Sequence, residues 1–504
     1  MEILSNLATG FGVAFSASNL LYCLFGVTVG TFIGVLPGIG PLATISMLLP
    51  LTFSLNPIGA LIMLAGIYYG SMYGSAVTSI LLNTPGHAAS AVVCLDGHPM
   101  AKNGQGALAL VISAIASFFG GTVAIILLMS LAPAVATFGL RFGAQEYFSM
   151  MVLALTSAAG LSQGSFLKGV AMVLLGLAIA TVGIDVNSGA QRFLFGQWSL
   201  SGGISFVIVA MGFFAIAEVV SNLEGPERGE LLGKKLHWRE MFPPLSALRR
   251  SVMAAIRGTG TGFIFGALPG SGPTIATFVS YGMEKRVARD PSRFGKGAHE
   301  GIAGPEAANN SAAIAGFIPT LTLGVPGDAI MAMMLGALIV FGVTPGPGVI
   351  EDNPELFWGL MASMWIGNLL LLILNIPFIG VWVKVLQIPY NILYLSILLF
   401  ICIGVHSISN NTFDVLLLAA FGGIGYFLTK LDFPAAPLLL GVILGPMLEE
   451  NLRRAMLIAR GDLTTFFTRP ISLTLLLVTA AIVLFLVVVG IRDMKPAKAS
   501  DGTA

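Results

Sequence analysis

The string GVLPGIGP, from Gly34 to Pro41, interrupts a segment otherwise apolar enough for a lipid bilayer, and GALPGSGP repeats the interruption at Gly266–Pro273. Proline removes a backbone donor, and glycine admits turns that other residues avoid. In hydrocarbon an unpaired N–H or C=O costs several kcal/mol, so a break of this kind survives only where protein or a watery cavity covers it. Lipid is the expected solvent because 56% of the 504 residues are hydrophobic and 10% charged, with a mean hydropathy of +0.90. A soluble chain carries about 25% charge. Apolar runs such as Ile471–Gly490 recur, each long enough for a core of about 30 Å. The expected class is an all-α polytopic membrane protein of about 10–12 membrane segments.

Other features exclude more than they assign. The N-terminus, MEILSNLATGFGVAF, lacks the basic start and small-residue cleavage site of a secretion leader. Cys23, Cys94 and Cys402 are scattered without metal or disulfide spacing and read as packing residues. A net charge of +1 points to no nucleic-acid partner. The lipid bilayer is the partner that composition implies, and no cofactor motif is present. The 62 glycines let helices approach closely and supply unwound backbone.

The two interruptions match at an offset of 232, as Gly30-x-x-x-Gly34-x-Leu36-Pro37-Gly38-x-Gly40-Pro41 and Gly262-x-x-x-Gly266-x-Leu268-Pro269-Gly270-x-Gly272-Pro273. A second pair, TSILLNTPGHAA (Thr78–Ala89) and PTLTLGVPGDAI (Pro319–Ile330), follows at an offset of 241. Two motifs in one order imply internal duplication. Short cytoplasmic loops collect Lys and Arg. Residues 224–257 hold seven and residues 284–300 five, so both are expected inside, and the segment between them is expected to be a re-entrant hairpin. The first half carries no Lys or Arg before Lys102, and none occurs from Gly297 to Val383, where acidic EDNPE lies. The halves thus read as inverted relative to each other.

The expected organisation is a first inverted repeat over 1–223 (hairpin motifs at 34–41 and 83–87), a cytoplasmic linker at 224–257, a second inverted repeat over 258–450 (hairpin motifs at 266–273 and 324–328), and a terminal transmembrane helix and cytoplasmic tail over 451–504. Residues 434–448 read as a dip rather than a crossing. Arg141, Arg192, Arg453, Arg454, Arg460 and Arg469 fit this orientation badly.

A helix restarted in mid-membrane offers free N–H groups and a partial positive charge, which suit a carboxylate. The carbonyls ending the previous half-helix suit a cation such as Na⁺. The candidate substrate-binding set is Pro37, Gly38, Gly40, Asn83, Thr84, Pro85, Gly86, His87, Gly270, Ser271, Gly272, Pro326 and Gly327. Buried polar groups at membrane depth usually line a path or site. Asn83, Asn309, Asn310, Ser311, Thr322 and Asp328 form the candidate ion-coupling set. Asp328 serves equally as the cap of a helix starting at Ala329. Glu306 and Thr320 lie in the same polar stretch. Asp96 and His98 read as a surface turn, and Tyr68, Tyr69 and Tyr73 as interface anchors. A passive anion channel or an intramembrane enzyme is the alternative, although no HExxH and no G-x-x-x-x-G-K-[ST] phosphate loop occurs.

GTFIGVLPGIGPLATISMLLPLTF, AGIYYGSMYGSAVTSILLNTPG, CLDGHPMAKNGQG and NNSAAIAGFIPTLTLGVPG resemble the large permease subunit of tripartite tricarboxylate transporters. The resemblance covers about residues 1 to 490. It implies a bacterial inner-membrane symporter that takes up di- or tricarboxylates such as citrate. An ion gradient (Na⁺ or H⁺) would drive uptake, with no enzymatic activity. It also implies a small four-helix membrane subunit and a periplasmic solute-binding protein as partners. The family pattern carries an acidic residue after the first Thr-Pro-Gly, where this chain has His87. An elevator-like movement follows only by analogy with other inverted-repeat carriers.

Overall fold

The computed structural model describes residues 2–36, 39–161, 165–185, 187–223, 245–268, 272–386 and 390–493. Helix dominates. Strand among the described residues is confined to a short antiparallel pair, Gly183–Ile184 with Gln191–Arg192. Among the described residues eight helices are long and apolar enough to cross a bilayer, and four shorter apolar ones accompany them. The chain is an all-α, multi-pass membrane protein. Pro434 caps the 24-residue helix Ala435–Ile458, which takes in residues 435–448 and is about 36 Å long.

The chain forms two compact units, one of Met1–Arg141 and Ser205–Phe427, the other of Phe142–Ile204 and Leu428–Ala504. Each unit takes chain from both sides of residues 224–257, of which 224–244 lie outside the described residues. Within that stretch, helix Leu245–Gly266 has already begun.

In the second unit, helices Phe166–Ala180 and Ala435–Ile458 meet through glycines. A β-carbon built on Gly176 would lie 2.2 Å from the Leu438 carbonyl oxygen, and one on Gly441 2.6 Å from that of Val173. Four of the six awkward arginines meet carboxylates here. Arg192 contacts Asp185 at 2.7 Å and Glu449 at 3.0 Å, Arg453 contacts Glu449 at 2.6 Å, and Arg469 contacts Glu146 at 3.2 Å. Arg454 pairs with Glu450 one turn away.

In the first unit, consecutive long helices pack in parallel. Gly26, Gly30 and Gly34 of helix Ala17–Gly34 press on the backbone of helix Pro57–Leu82. Their built β-carbons would sit 2.4, 2.4 and 2.5 Å from the carbonyl oxygens of Met63, Ile67 and Ser71. Both series of numbers rise together, so the helices point the same way. The intervening chain must therefore come back. Helix Pro41–Thr52, only 12 residues long or about 18 Å, makes most of that return. Asn56 restarts the next helix by accepting from Gly59 N at 2.7 Å, with Pro57 in its first turn.

The same construction recurs later. Gly258, Gly262 and Gly266 of Leu245–Gly266 would place β-carbons 2.1, 2.3 and 2.3 Å from the carbonyl oxygens of Gly304, Ala308 and Ala312, all in helix Glu300–Ala315. Helix Gly272–Val287 carries the return. The glycines match their earlier counterparts at an offset of 232 and the partners at 241, the offsets of the two sequence motifs. Small residues thus set a backbone-to-backbone approach that bulkier side chains forbid.

Candidate functional site

Each parallel pair presents a gap where its first helix stops. Helix Ala17–Gly34 ends with Val35 and Leu36, both buried. Pro37 and Gly38 lie outside the described residues, as do Pro269, Gly270 and Ser271 of the second gap. Beyond the first gap comes buried Ile39, whose N–H donates to Leu36 O at 3.3 Å, then extended Gly40, with Pro41 opening the next helix. In the second gap the backbone resumes at Gly272, whose φ of +54° lies in the region that glycine favours.

A second break folds into each gap. Helix Pro57–Leu82 is closed by Asn83 in the left-handed conformation (φ 56°), and the corresponding Gly324 has φ 69°. Thr84 donates its hydroxyl to Leu82 O at 3.3 Å, and the exposed Pro85 follows it. The chain then doubles back. A β-carbon on Gly86 would lie 2.7 Å from the Ser75 side chain and 3.4 Å from Gly34 O; one on Gly327, after Pro326, would lie 3.2 Å from Gly266 O and 4.0 Å from Gly316 Cα. These residues correspond one for one at the same two offsets.

The next residues, His87 and Asp328, stand beside the restarted helices. A β-carbon on Gly40 would be 3.8 Å from His87 Cβ and 3.5 Å from Gly86 O, and one on Gly272 3.1 Å from Asp328 Cβ. Asp328 caps helix Ala329–Val340 by accepting from Met331 N at 2.8 Å. His87 begins the short turn Ala88–Ser90, whose Ser90 hydroxyl donates to His87 O at 2.8 Å. His87 Nε2 is shut off from solvent and has no hydrogen-bond partner.

The two gaps also trade neighbours. Pro41–Thr52 packs against Ala329–Val340, and Gly272–Val287 packs against Ala88–Ser90 and Ala91–Lys102. Each helix leaving a first break thus leans on the segment leaving the other half's second break.

The candidate amides lie deeper along helix Glu300–Ala315. Asn309 precedes Gly316 by seven residues, about 10 Å of helix. Asn309 Oδ1 has no partner, and Asn310 donates to Glu306 O at 3.2 Å. Ser311 donates to Thr259 O at 2.9 Å and Thr322 to Ile318 O at 2.7 Å. Glu306, 1% exposed, accepts from Ser117 at 2.8 Å through Oε2, while its Oε1 has no partner.

Two expectations are corrected. Tyr68, Tyr69 and Tyr73 are not interface anchors: all are buried inside the protein, and Tyr73 donates to Asn368 Oδ1 at 3.0 Å. Their positions correspond to Asn309, Asn310 and Ile314 at the offset of 241, so they fill the core of their own helix pair. Asp96 is not in a surface turn. It lies on helix Ala91–Lys102, fully buried. There it accepts from the amides of Gly295, Gly297 and Ala298 at 2.9, 2.8 and 2.7 Å and from the Tyr281 hydroxyl at 2.9 Å. His98, also on this helix, lies 3.2 Å through Nδ1 from Ile80 O.

The profile of the tripartite tricarboxylate transporter TctA family matches residues 20–440. The chain belongs to that family. It is 49% identical over 495 residues to an uncharacterized 52.8 kDa protein in the TAR-I ttuC' 3' region of Agrobacterium vitis, covering 98% of each chain. It is 56% identical over 215 residues to an uncharacterized protein in the TAR-II ttuC' 3' region of the same organism, covering 43% of this chain and 89% of that one. No solved structure matches it. Membership makes the broken helices part of a transport protein.

One residue at the first gap was not among the candidates. Glu218 follows a π-helical stretch, Met211–Ile216, in the apolar span Phe206–Leu223. Its carboxyl Oε1 accepts from Gly40 N at 3.0 Å. The N–H that should await a ligand is already engaged. A lone acid in a lipid-length segment was the available sign.

Proposed function

We propose that this TctA-family chain is the large permease subunit of an ion-gradient-driven symporter for di- and tricarboxylates in the bacterial inner membrane. It would work with a small four-helix membrane subunit and a periplasmic solute-binding protein that delivers the substrate. The carrying observation is the matched pair of gaps: Gly34, Gly40, Ser75, Gly86 and His87 stand to one another much as Gly266, Gly272, Gly316, Gly327 and Asp328 do.

Each gap supplies helix N-termini and loop carbonyls at membrane depth, backbone groups suited to a carboxylate and a small cation. The substrate's carboxylates are assigned to the amides around Pro37–Gly40, Thr84–His87, Gly270–Gly272 and Pro326-Gly327. The coupling ion, Na⁺ or H⁺, is assigned to the polar set of Asn83, Asn309, Asn310, Ser311, Thr322 and Asp328. The two halves are read as inverted repeats. Phe53 meets Phe341 with ring centroids 5.8 Å apart, and Asp96 meets the 295–298 loop. These pairings join first-half and second-half segments with the same charge-derived sidedness. An elevator-like shift would then carry the loaded site across.

The test is uptake of radiolabelled citrate into proteoliposomes holding the chain with its two partner proteins, under imposed Na⁺ or H⁺ gradients. Accumulation against a concentration gradient is expected, with citrate recovered intact. Equilibration without accumulation identifies a channel, and altered citrate an enzyme; either refutes the proposal.

A further inference from the structure

Each restarted helix carries a carboxyl of the protein itself, and the two carboxyls have different origins. In the second half the neighbour of Gly272 is Asp328, from that half's own Pro-Gly loop, with Oδ2 3.2 Å from a β-carbon built on the glycine. In the first half the loop residue is His87, which supplies no carboxyl. Glu218 comes instead from a helix 178 residues away in sequence and accepts from Gly40 N at 3.0 Å. Unrelated parts of the chain thus bring the same chemical group to corresponding places. The recurrence marks the spot as one that selects a carboxyl group.

The two carboxyls are not held alike. Asp328 is tied to its own helix through Met331 N at 2.8 Å. Glu218 reaches Gly40 from a separate helix that follows a π-helical stretch ending two residues earlier. Such stretches shift the facing of everything after them and are frequent at functional sites. Helix Pro41–Thr52 packs directly on that stretch. The Gly40 N–H therefore has a tethered partner that can leave without unwinding a helix.

We infer that Glu218 is a placeholder for the substrate: its carboxyl occupies the Gly40 N–H in the empty carrier, and an incoming substrate carboxylate replaces it. This rests on the reading of the gaps as carboxylate sites. Glu218 then sets affinity and specificity. A substrate group that binds the restarted helix no better than a glutamate side chain cannot displace it. The device also keeps a buried N–H satisfied when no substrate is bound, where an unpaired donor is costly.

Displacement lowers apparent affinity by the fraction of time the site is free. A hydrogen bond that leaves the site free about one-tenth of the time weakens binding about tenfold. The experiment measures citrate binding by the purified full-length chain, wild type, Glu218→Ala and Glu218→Gln, with citrate uptake followed in parallel. Glu218→Ala should tighten the citrate Kd by about tenfold. Glu218→Gln keeps a neutral acceptor and should fall between wild type and Ala.

If Glu218 is merely a cap, both variants melt lower with Kd unchanged. If it holds the coupling ion, citrate binds more weakly. Either result overturns the inference while wild-type binding and uptake leave the transport reading standing. Wild-type protein that neither binds nor carries citrate or any other di- or tricarboxylate overturns both. Should the Ala variant fail to assemble, the isosteric Gln variant decides alone, by a tighter or an unchanged Kd.

Discussion

Replacing Asp96 tests how the two halves are fastened at one end. Its fully buried carboxyl collects three backbone amides, from Gly295, Gly297 and Ala298 at 2.7–2.9 Å, plus the Tyr281 hydroxyl. Alanine removes every acceptor while leaving the donors in place. A buried donor left unsatisfied costs about 1–3 kcal/mol. Three backbone donors, with water reaching part of the vacated space, come to about 5 kcal/mol. Asparagine keeps one oxygen for the amides and turns an NH₂ toward Tyr281, whose hydroxyl can accept, so Asp96→Asn should cost about 1 kcal/mol. Unfolding entropy scales to roughly 1 kcal/mol per kelvin for a chain of this length, so the Ala variant should melt about 5 °C lower and the Asn variant about 1 °C lower. Tryptophan-fluorescence melting of the purified protein in detergent reads both. An Ala variant melting within 1 °C of wild type would refute the reasoning, since the loop would then not depend on the carboxyl.

Two further outcomes follow from the packing and the charges. Gly262→Val should abolish the folded chain, because its β-carbon would sit 2.3 Å from the Ala308 carbonyl oxygen, whereas Gly260→Ala on the same helix meets nothing within 4 Å and should be neutral; size-exclusion chromatography of the extracted proteins separates the two. Hydrogen bonding from Ser188, with Arg453 and Arg192 beside it, holds the Asp185 carboxyl below its ordinary range. A depressed carboxyl stabilises the fold above its unfolded pKa of about 4 and loses that contribution as pH falls through the folded value. Acidification from pH 6 to pH 3 should therefore lower the melting temperature of wild type more than that of Asp185→Asn, and an equal loss in both would count against the network.

The helical class, the breaks and the two offsets were legible because proline and glycine act locally. A Pro-Gly pair ends a helix whatever surrounds it, and a glycine every fourth residue forecasts close approach. The Asp328 cap was one of the two roles its sequence neighbourhood allowed. What stayed hidden depends on distant partners. CLDGHPMAKNGQG looks like a polar turn, and nothing in it announces amides 199 to 202 residues away. The tyrosines look like interface anchors until their fully buried helix is known. Glu218 was visible as an isolated acid, but its distance from Gly40 in sequence concealed the bond.

The nine-residue difference between the two offsets has a structural meaning. In the first half a 12-residue return helix is followed by four residues, Phe53–Asn56, before the next long helix. In the second half the return helix has 16 residues, and the connection runs from Ala288 to His299. The added length forms the loop whose amides receive Asp96 and whose Arg293 meets Glu300 at 3.0 Å. The two gaps are similar, and the longer connection joins the second half's loop to the first half's helix through Asp96. Next to it, Arg257 grips Glu284 through two hydrogen bonds of 2.7 and 2.5 Å and holds the outgoing and returning helices together. At the other end the corresponding join is an aromatic contact, Phe53 with Phe341. That contact lacks the directional bonds of the Asp96 socket. One end is therefore fixed by directional hydrogen bonds and the other by apolar contact, with the breaks between them.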